Sequence, residues 1–179
     1  MSSSKIISLI KEKYIINSLY RIACLLKKNN TILLIAPVGI DEGKTINEKI
    51  NFINYGIQLL RRIHIKIKIG IFEKNLKKRL SLYPYKMIFQ NIKKKYHLKI
   101  KLFTSKNFSK SYFTSNFLIL PNGITGNLVF RTLTHICNLD GFGAPMKINF
   151  IKDYKKIYID TSRSLDHYIN AIEFSLFIY

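Results

Sequence analysis

Two stretches of the chain combine residue types and spacings suited to holding an anion. Residues 118–131 read L-I-L-P-N-G-I-T-G-N-L-V-F-R: an apolar run, a Pro-Asn-Gly turn, then the start of a helical pattern. A helix start presents backbone N–H groups that lack intrahelical partners, and the helix dipole adds positive potential there. Gly123 and Gly126, with Asn122 before them, permit a tight turn and close approach of a ligand. Asn127 offers an amide donor, and Arg131, one turn on, a planar fork for phosphate or carboxylate. The plainer alternative is that Asn and Gly only cap the helix; the convergence of a donor, two glycines and an Arg favours a site. Ile159-Asp160-Thr161-Ser162-Arg163 repeats the layout of strand, polar turn and helix. Thr161 or Ser162 can cap the following helix, while Asp160 is placed to hold Arg163 toward a ligand, so that less entropy is lost on binding. Together the two junctions point to a phosphorylated or carboxylated small molecule.

Other stretches carry less. Gly39–Thr45 (G-I-D-E-G-K-T) resembles a phosphate loop but separates its glycines by three residues where that motif needs four. Asp41 and Glu42 would repel a triphosphate and are expected instead to complement the following helix start, at roughly 0.3–1 kcal/mol each. His64, His97, His135 and His167 show no metal-ligand spacing, although His135 follows Arg131 by four residues and is expected on the same helix face. Cys24 and Cys137 lie far apart, which argues against a disulfide framework or a cysteine metal site.

These residues need a scaffold. Apolar residues at Ile6, Ile10, Leu19, Ile22, Leu25 and Leu26 predict a helix over 5–28. Thr31–Ala36 is a short continuous apolar run ended by Pro37, as a buried parallel strand requires. Ile46, Ile50, Ile53, Ile57 and Leu60 predict a helix over 45–62. The alternation I-H-I-K-I-K-I-G-I over 63–71 predicts a strand with one wet face near a sheet edge. A helix over 74–96, interrupted near Pro84, a strand over 98–103 and a polar loop over 104–114 follow. Then come a strand over 117–120, a helix over 126–137, a turn over 141–145, short strands over 146–150 and 156–160, and a last helix over 164–177. Alternating strands and helices indicate an α/β fold with a largely parallel sheet.

The 179 residues suffice for one domain with a core and at most two lobes. With 47% apolar residues the chain is not disordered. No apolar run is long enough for a membrane span, and the start lacks a signal peptide's core, which leaves the cytoplasm as the expected compartment. The net charge of +20 would attract nucleic acid. However, the lysines are scattered, Lys far outnumbers Arg, and most Tyr and Phe sit in apolar runs. Compositional drift therefore accounts for the charge better than an RNA role, which stays as a secondary alternative.

The motifs also carry a resemblance. P-N-G-I-T-G-N-L-V-F-R-T-L, then G-A-P, then D-T-S-R resemble the C-terminal half of phosphate acetyl/butyryl transferases. They are still more similar to the methanogenesis marker protein 4 family, an archaeal group related to those transferases that carries a methyltransferase label. The resemblance covers roughly residues 36–175. It implies a three-layer α/β sandwich with a mostly parallel sheet, like isocitrate and isopropylmalate dehydrogenases. It also implies ligand in a cleft, a homodimer, and one transferase-like domain over 1–179 of up to two lobes, with an N-terminal portion absent. In the transferases the Ser-Arg pair lies at the active site, which by match makes Ser162 and Arg163 the first catalytic candidates, with Gly126 and Asn127 next. Coenzyme A or an acyl phosphate is the implied ligand. Three positions depart from the transferase pattern: Asn122 replaces an Asp, Ser164 replaces a Gly, and Tyr168 falls near an acid thought to act as base. Methyl transfer is the alternative that the family label implies, but no glycine loop of the kind that holds S-adenosylmethionine is present.

Overall fold

The computed structural model describes residues 16–72, 83–150, 158–161 and 165–178. The elements run β1 (Ile16–Arg21), β2 (Ala23–Leu26), β3 (Ile32–Ala36), α1 (Ile46–Arg62), β4 (Ile69–Phe72), α2 (Tyr83–Tyr96) and β5 (Ile100–Phe103). A 3-10 turn, Ser105–Asn107, then leads into α3 (Phe108–Thr114), followed by β6 (Phe117–Ile119) and α4 (Gly123–Arg131). A π-helical turn, Thr132–Ile136, extends α4 before β7 (Ala144–Phe150), β8 (Tyr158–Asp160) and α5 (Leu165–Ile178).

Five strands form one sheet in the order β2-β3-β6-β4-β5; β3, β6, β4 and β5 are parallel and β2 is antiparallel to β3. A second sheet, β1-β7-β8, is antiparallel throughout. Successive residues of β3 serve opposite faces. Leu34 and Ala36 join Phe52, Ile53 and Ile57 of α1, Ile88 and Ile92 of α2 and Phe174 of α5. Leu33 and Ile35 join Leu118 and Phe103, against which Phe108 and Tyr112 of α3 and Val129 and Phe130 of α4 pack. Helices thus cover both faces of a mostly parallel sheet, the expected three-layer α/β sandwich. No helix among the described residues is long and apolar enough to cross a membrane.

α1 begins where the sequence places it, with a capping box: the Thr45 hydroxyl accepts from the Glu48 N–H, and the Glu48 carboxylate accepts from the Thr45 N–H. Several expectations are corrected. Within 5–28 the described part, from Ile16 on, is two strands. Ile22 and Cys24 enter one cluster and Ala23 and Leu25 the other, so both faces are buried at period two, and the apparent helical stripe reflects how often Ile and Leu recur. The wet-faced strand over 63–71 shrinks to β4, which lies inside the sheet between β6 and β5. Lys66 and Lys68 belong to its exposed approach, not to the strand. The loop over 104–114 is helical, because the Asn107 carbonyl caps the Thr104 N–H at 2.6 Å and Phe108 and Tyr112 reach the core one turn apart. α4 starts three residues early, and Ala144 and Pro145, expected in a turn, already pair with β8. Residues 74–82 of the predicted helix over 74–96 lie outside the described residues.

Candidate functional site

β3 and β6 are neighbours, with Ala36 opposite Ile119, so the turns that follow them emerge side by side. The Gly39 N–H donates to the Gly123 carbonyl at 3.2 Å, and the Gly123 N–H donates to the Glu42 carbonyl at 2.9 Å. A Cβ on Gly123 would stand 1.6 Å from the Gly39 carbonyl oxygen, and one on Gly126 would stand 1.9 Å from that of Pro37. The two glycines therefore seat the first turn of α4 on the Pro37–Gly39 backbone. This corrects the expectation that they leave room for a ligand.

The expectation of a set of free N–H groups at this helix start is corrected for Gly123 and Thr125. Gly123 is satisfied by Glu42, and the Asn122 side chain accepts from the Thr125 N–H at 3.0 Å and from its hydroxyl at 3.1 Å. Asn122 is thus an N-cap, the plainer of its two readings. Further along α4, Asn127 is half-buried and Arg131 is exposed, one turn apart on the same side. His135 falls in the π-helical turn, where its ring stands 6.0 Å from that of His167.

Sequence reasoning missed Arg21, at the end of β1. Its Nε donates to Glu42 Oε1 at 2.5 Å, its Nη1 reaches Asp160 Oδ2 at 3.5 Å, and its backbone N–H donates to Glu42 Oε2 at 3.1 Å. The guanidinium lies across Gly39, where a Cβ would meet Nη2 at 2.1 Å. Arg21, Glu42 and Asp160 are only 12–23% exposed at their side chains. Asp160 therefore bonds Arg21, and Glu42 serves the same guanidinium in place of the expected role at a helix start. No local signal marked Arg21, since it fell in a stretch read as helix and its partners are 21 and 139 residues away.

Thr161 follows Asp160 and sits half-buried beside Gly143, whose φ of +75° requires glycine. Ser162 and Arg163 lie outside the described residues. Through Arg21 and Glu42 the junctions around Pro121 and Asp160 become one connected unit: Asp160, Arg21, Glu42, Gly123. Burial pushes the Cys24 thiol up, which removes it as a nucleophile.

No family model matches the chain. A protein of Methanosarcina mazei named "Putative methyltransferase mtx subunit X" is 30% identical over 183 residues, 95% of this chain and 61% of that protein. A protein of Methanocaldococcus jannaschii named "Uncharacterized methyltransferase MJ1371" is 31% identical over 191 residues, 97% of this chain and 75% of that protein. The chain belongs to their family. It is the methanogenesis marker protein 4 family of the motif resemblance, and the chain spans 61% of the length of its M. mazei relative. Among solved structures, the chain is similar to a branched-chain phosphotransacylase from Enterococcus faecalis, with a TM-score of 0.70 at 14% identity over 99% of this chain and 70% of that one. It is also similar to a phosphotransacetylase from Streptococcus pyogenes, with a TM-score of 0.62 at 16% identity over 88% of this chain and 53% of that one. This likeness is one of fold, and the relation of the marker family to phosphate acyltransferases holds at that level.

Proposed function

We propose that this member of the marker family holds a phosphorylated or acyl-bearing small molecule at the carboxyl ends of its parallel strands, as part of a transferase of methanogenesis. The observation that carries the reading is the connection of the strand-end turns through Arg21, Glu42 and Asp160. Ligands of α/β sheets sit outside the carboxyl ends of strands. Arg21 is neutralised by two carboxylates and acts as a positioning residue. The anion falls to Asn127 and Arg131, one turn apart on α4, to Thr161 after Asp160, and to Ser162 and Arg163, which the motif match supplies. Donors fixed in this way stabilise charge developing on a carbonyl or phosphoryl oxygen. Similarity to phosphotransacylases supports coenzyme A or an acyl phosphate as the ligand.

The names of the relatives favour a second reading, methyl transfer, and the same fold admits it. A second copy of the chain is the partner in either case. α4 with its π turn exposes Ile124, Leu128 and Ile136, and α5 exposes Leu165, Tyr168, Ile169, Ile172 and Leu176, each 46–78% exposed. The two helices meet at the Asp140–Phe142 loop, where Asn170 Nδ2 reaches the Gly141 carbonyl at 3.4 Å.

The test is a thermal-shift series with acetyl phosphate, coenzyme A, phosphate and S-adenosylmethionine, since ligands of the folded state raise Tm. A shift with acetyl phosphate or coenzyme A that is lost in Arg163→Ala and Arg131→Ala supports the first reading. A shift with S-adenosylmethionine alone supports methyl transfer, and no shift with any of them refutes both.

A further inference from the structure

Arg21 holds its two carboxylates unequally. Glu42 Oε1 accepts from its Nε at 2.5 Å and Glu42 Oε2 from its backbone N–H at 3.1 Å, so one carboxylate fixes both ends of the residue. Asp160 Oδ2 meets only Nη1, at 3.5 Å, beyond the roughly 2.7–3.2 Å of a good N–H···O bond. Among the described residues Nη2 donates to no acceptor.

The strand register explains the loose contact. β1 and β8 are the edges of the antiparallel sheet, with β7 between them. Arg21 opposes Met146, Met146 opposes Tyr158, and Asp160 follows two residues along β8 on the same face. The two side chains therefore meet across two strand spacings, roughly 10 Å. Asp160 cannot move in, because its backbone is paired to Ala144. Its carbonyl oxygen also lies against Gly143, 2.7 Å from where a Cβ would stand. The Nη1/Nη2 edge of a guanidinium fits two oxygens of one phosphate or carboxylate. Here that edge has a single oxygen at its outer limit. Solvent reaches the pair, since 18% of the Arg21 side chain and 23% of the Asp160 side chain are exposed.

We propose that Asp160 is a built-in competitor at the strand-end site, holding the Arg21 fork loosely until the phosphate or carboxylate of a ligand displaces it and binds Nη1 and Nη2 together. The inference rests on the anion reading of that site and supplies its regulation. Without ligand, Arg21 only positions the turns; once Asp160 is displaced, the anion takes over the bridge while Glu42 keeps the guanidinium in place. Arg21 with two carboxylates carries a net charge of −1 (+1 − 2), so an anion enters only by pushing a carboxylate aside. That favours ligands with two oxygens on one centre over neutral acyl groups. Affinity is reduced by the fraction of molecules in which Asp160 holds the fork.

The test is calorimetric titration of the full chain with inorganic phosphate and with acetyl phosphate, in wild type, Asp160→Asn, Glu42→Gln and Arg21→Lys. Asp160→Asn is expected to bind about fivefold more tightly, the worth of a part-exposed ion pair. Glu42→Gln removes the same charge from the same guanidinium but loosens its anchor, and is expected to bind more weakly. Arg21→Lys keeps the charge without the fork and is expected to bind about tenfold more weakly, and adding Asp160→Asn to it is expected to bring no tightening. If Arg21→Lys does not fold, the two carboxylate variants decide alone. Wild-type binding that Asp160→Asn leaves unchanged or weakens overturns the inference and leaves the strand-end reading standing. Equal tightening in Asp160→Asn and Glu42→Gln also overturns it, since loss of any negative charge gives that result. Binding seen only in Asp160→Asn supports it. No binding of either anion by any of the proteins removes the strand-end anion site and the inference with it.

Discussion

The α1–α2 side and the α4–α5 side of this molecule carry contrasting surfaces. α1 ends on Arg61 and Arg62, α2 ends on Lys93, Lys94 and Lys95, and the exposed segments beyond them add Lys66, Lys68, Lys99 and Lys101. Cations at helix C-termini also complement the helix dipole. On the other side, residues 132–146 and 165–179 contain no Lys or Arg at all, while α4 and α5 expose large apolar side chains. The net charge of +20 is thus unevenly distributed along the chain. Like charge repels a second copy, and the stretches 132–146 and 165–179, with exposed Arg131 at their edge, are where a copy docks against the least of that repulsion.

The largest expected effects separate how α4 and α1 are seated on opposite faces of the sheet. α4 rests backbone on backbone, with the Gly39 carbonyl oxygen 1.6 Å from a Cβ on Gly123, whereas a Cβ on Gly56 of α1 meets the Phe117 ring at 2.3 Å. A carbonyl in a paired turn cannot move without breaking the bonds between the turns, but a ring can tilt. Gly123→Ala is therefore expected to cost roughly 3 kcal/mol or more and Gly56→Ala roughly 1–2 kcal/mol. Chemical denaturation of the two variants measures the difference. Equal losses would mean that α4 is no more rigidly seated than α1.

Next in size is the docking side itself. Placing a Lys at Leu128 and at Ile172, which are 66% and 64% exposed, barely affects the fold of one copy. At an interface between copies it buries an unpaired charge. The dimer is expected to weaken by about 2.7 kcal/mol or more, roughly 100-fold, as read by sedimentation over a range of concentrations. Reversing the charge at Lys94 and Lys95 to Glu is expected to leave the mass unchanged. A wild-type chain that stays monomeric at high concentration removes the second copy as partner.

How far the sequence could be read follows from the range of the interactions involved. The start of α1 was legible because Thr45 and Glu48 are three residues apart, and β3 because its apolar run is continuous and ends on Pro37. β1 and β2 were not, because in a chain this rich in Ile and Leu a helical stripe arises without a helix. At the site, the sequence drew attention to Asn122, Gly123, Gly126 and Asp160, which the structure joins into one unit. What Gly123 and Asp160 do was not legible, because the partners that use their polar groups, Glu42 and Arg21, are distant in sequence, whereas the Asn122 cap on Thr125 is local and was one of its two readings. His135 meets His167, 32 residues further on, a contact that no local spacing marks.

Lys27 tests the rule that cations stay in water on this protein. It is the one buried cation among the described residues: its ammonium donates to the carbonyls of Tyr112 and Ser115, the latter at 2.6 Å, and lies 4.8 Å from the Tyr112 ring centre. Burial, then the Lys68 charge, push its pKa from 10.5 down to about 8. Between pH 8 and the ordinary lysine value the unfolded chain holds a proton that the folded one releases, so this group makes stability rise with pH. Tyr55 acts in the opposite sense from about pH 10, because burial pushes its pKa up to about 12 and the unfolded state ionises first. Tm measured from pH 7 to 10 is expected to climb more in wild type than in Lys27→Met. Parallel curves would show that the two carbonyl bonds hold the proton against burial.

The smallest effect belongs to the seam of the apolar side. His135 and His167 face each other across it with ring centres 6.0 Å apart. Burial lowers the His167 pKa from 6.5, the neighbouring His135 lowers it further, and Asp166 and Asp140 oppose both. The unfolded chain therefore takes up this proton first as pH falls. Stability contributed by neutral His167 is fully present above pH 6.5 and is lost as pH falls through the lower folded value. A thermal scan from pH 7 to 5 is expected to show a modest drop that His167→Gln reduces. His135→Gln removes the repelling neighbour, brings the folded value back toward 6.5 and is expected to shrink the drop. If the wild-type drop is unchanged in both variants, it arises from other groups. If His135→Gln leaves the drop as large as in wild type while His167→Gln reduces it, burial alone rather than the facing imidazole depresses His167, and the two rings meet without electrostatic cost.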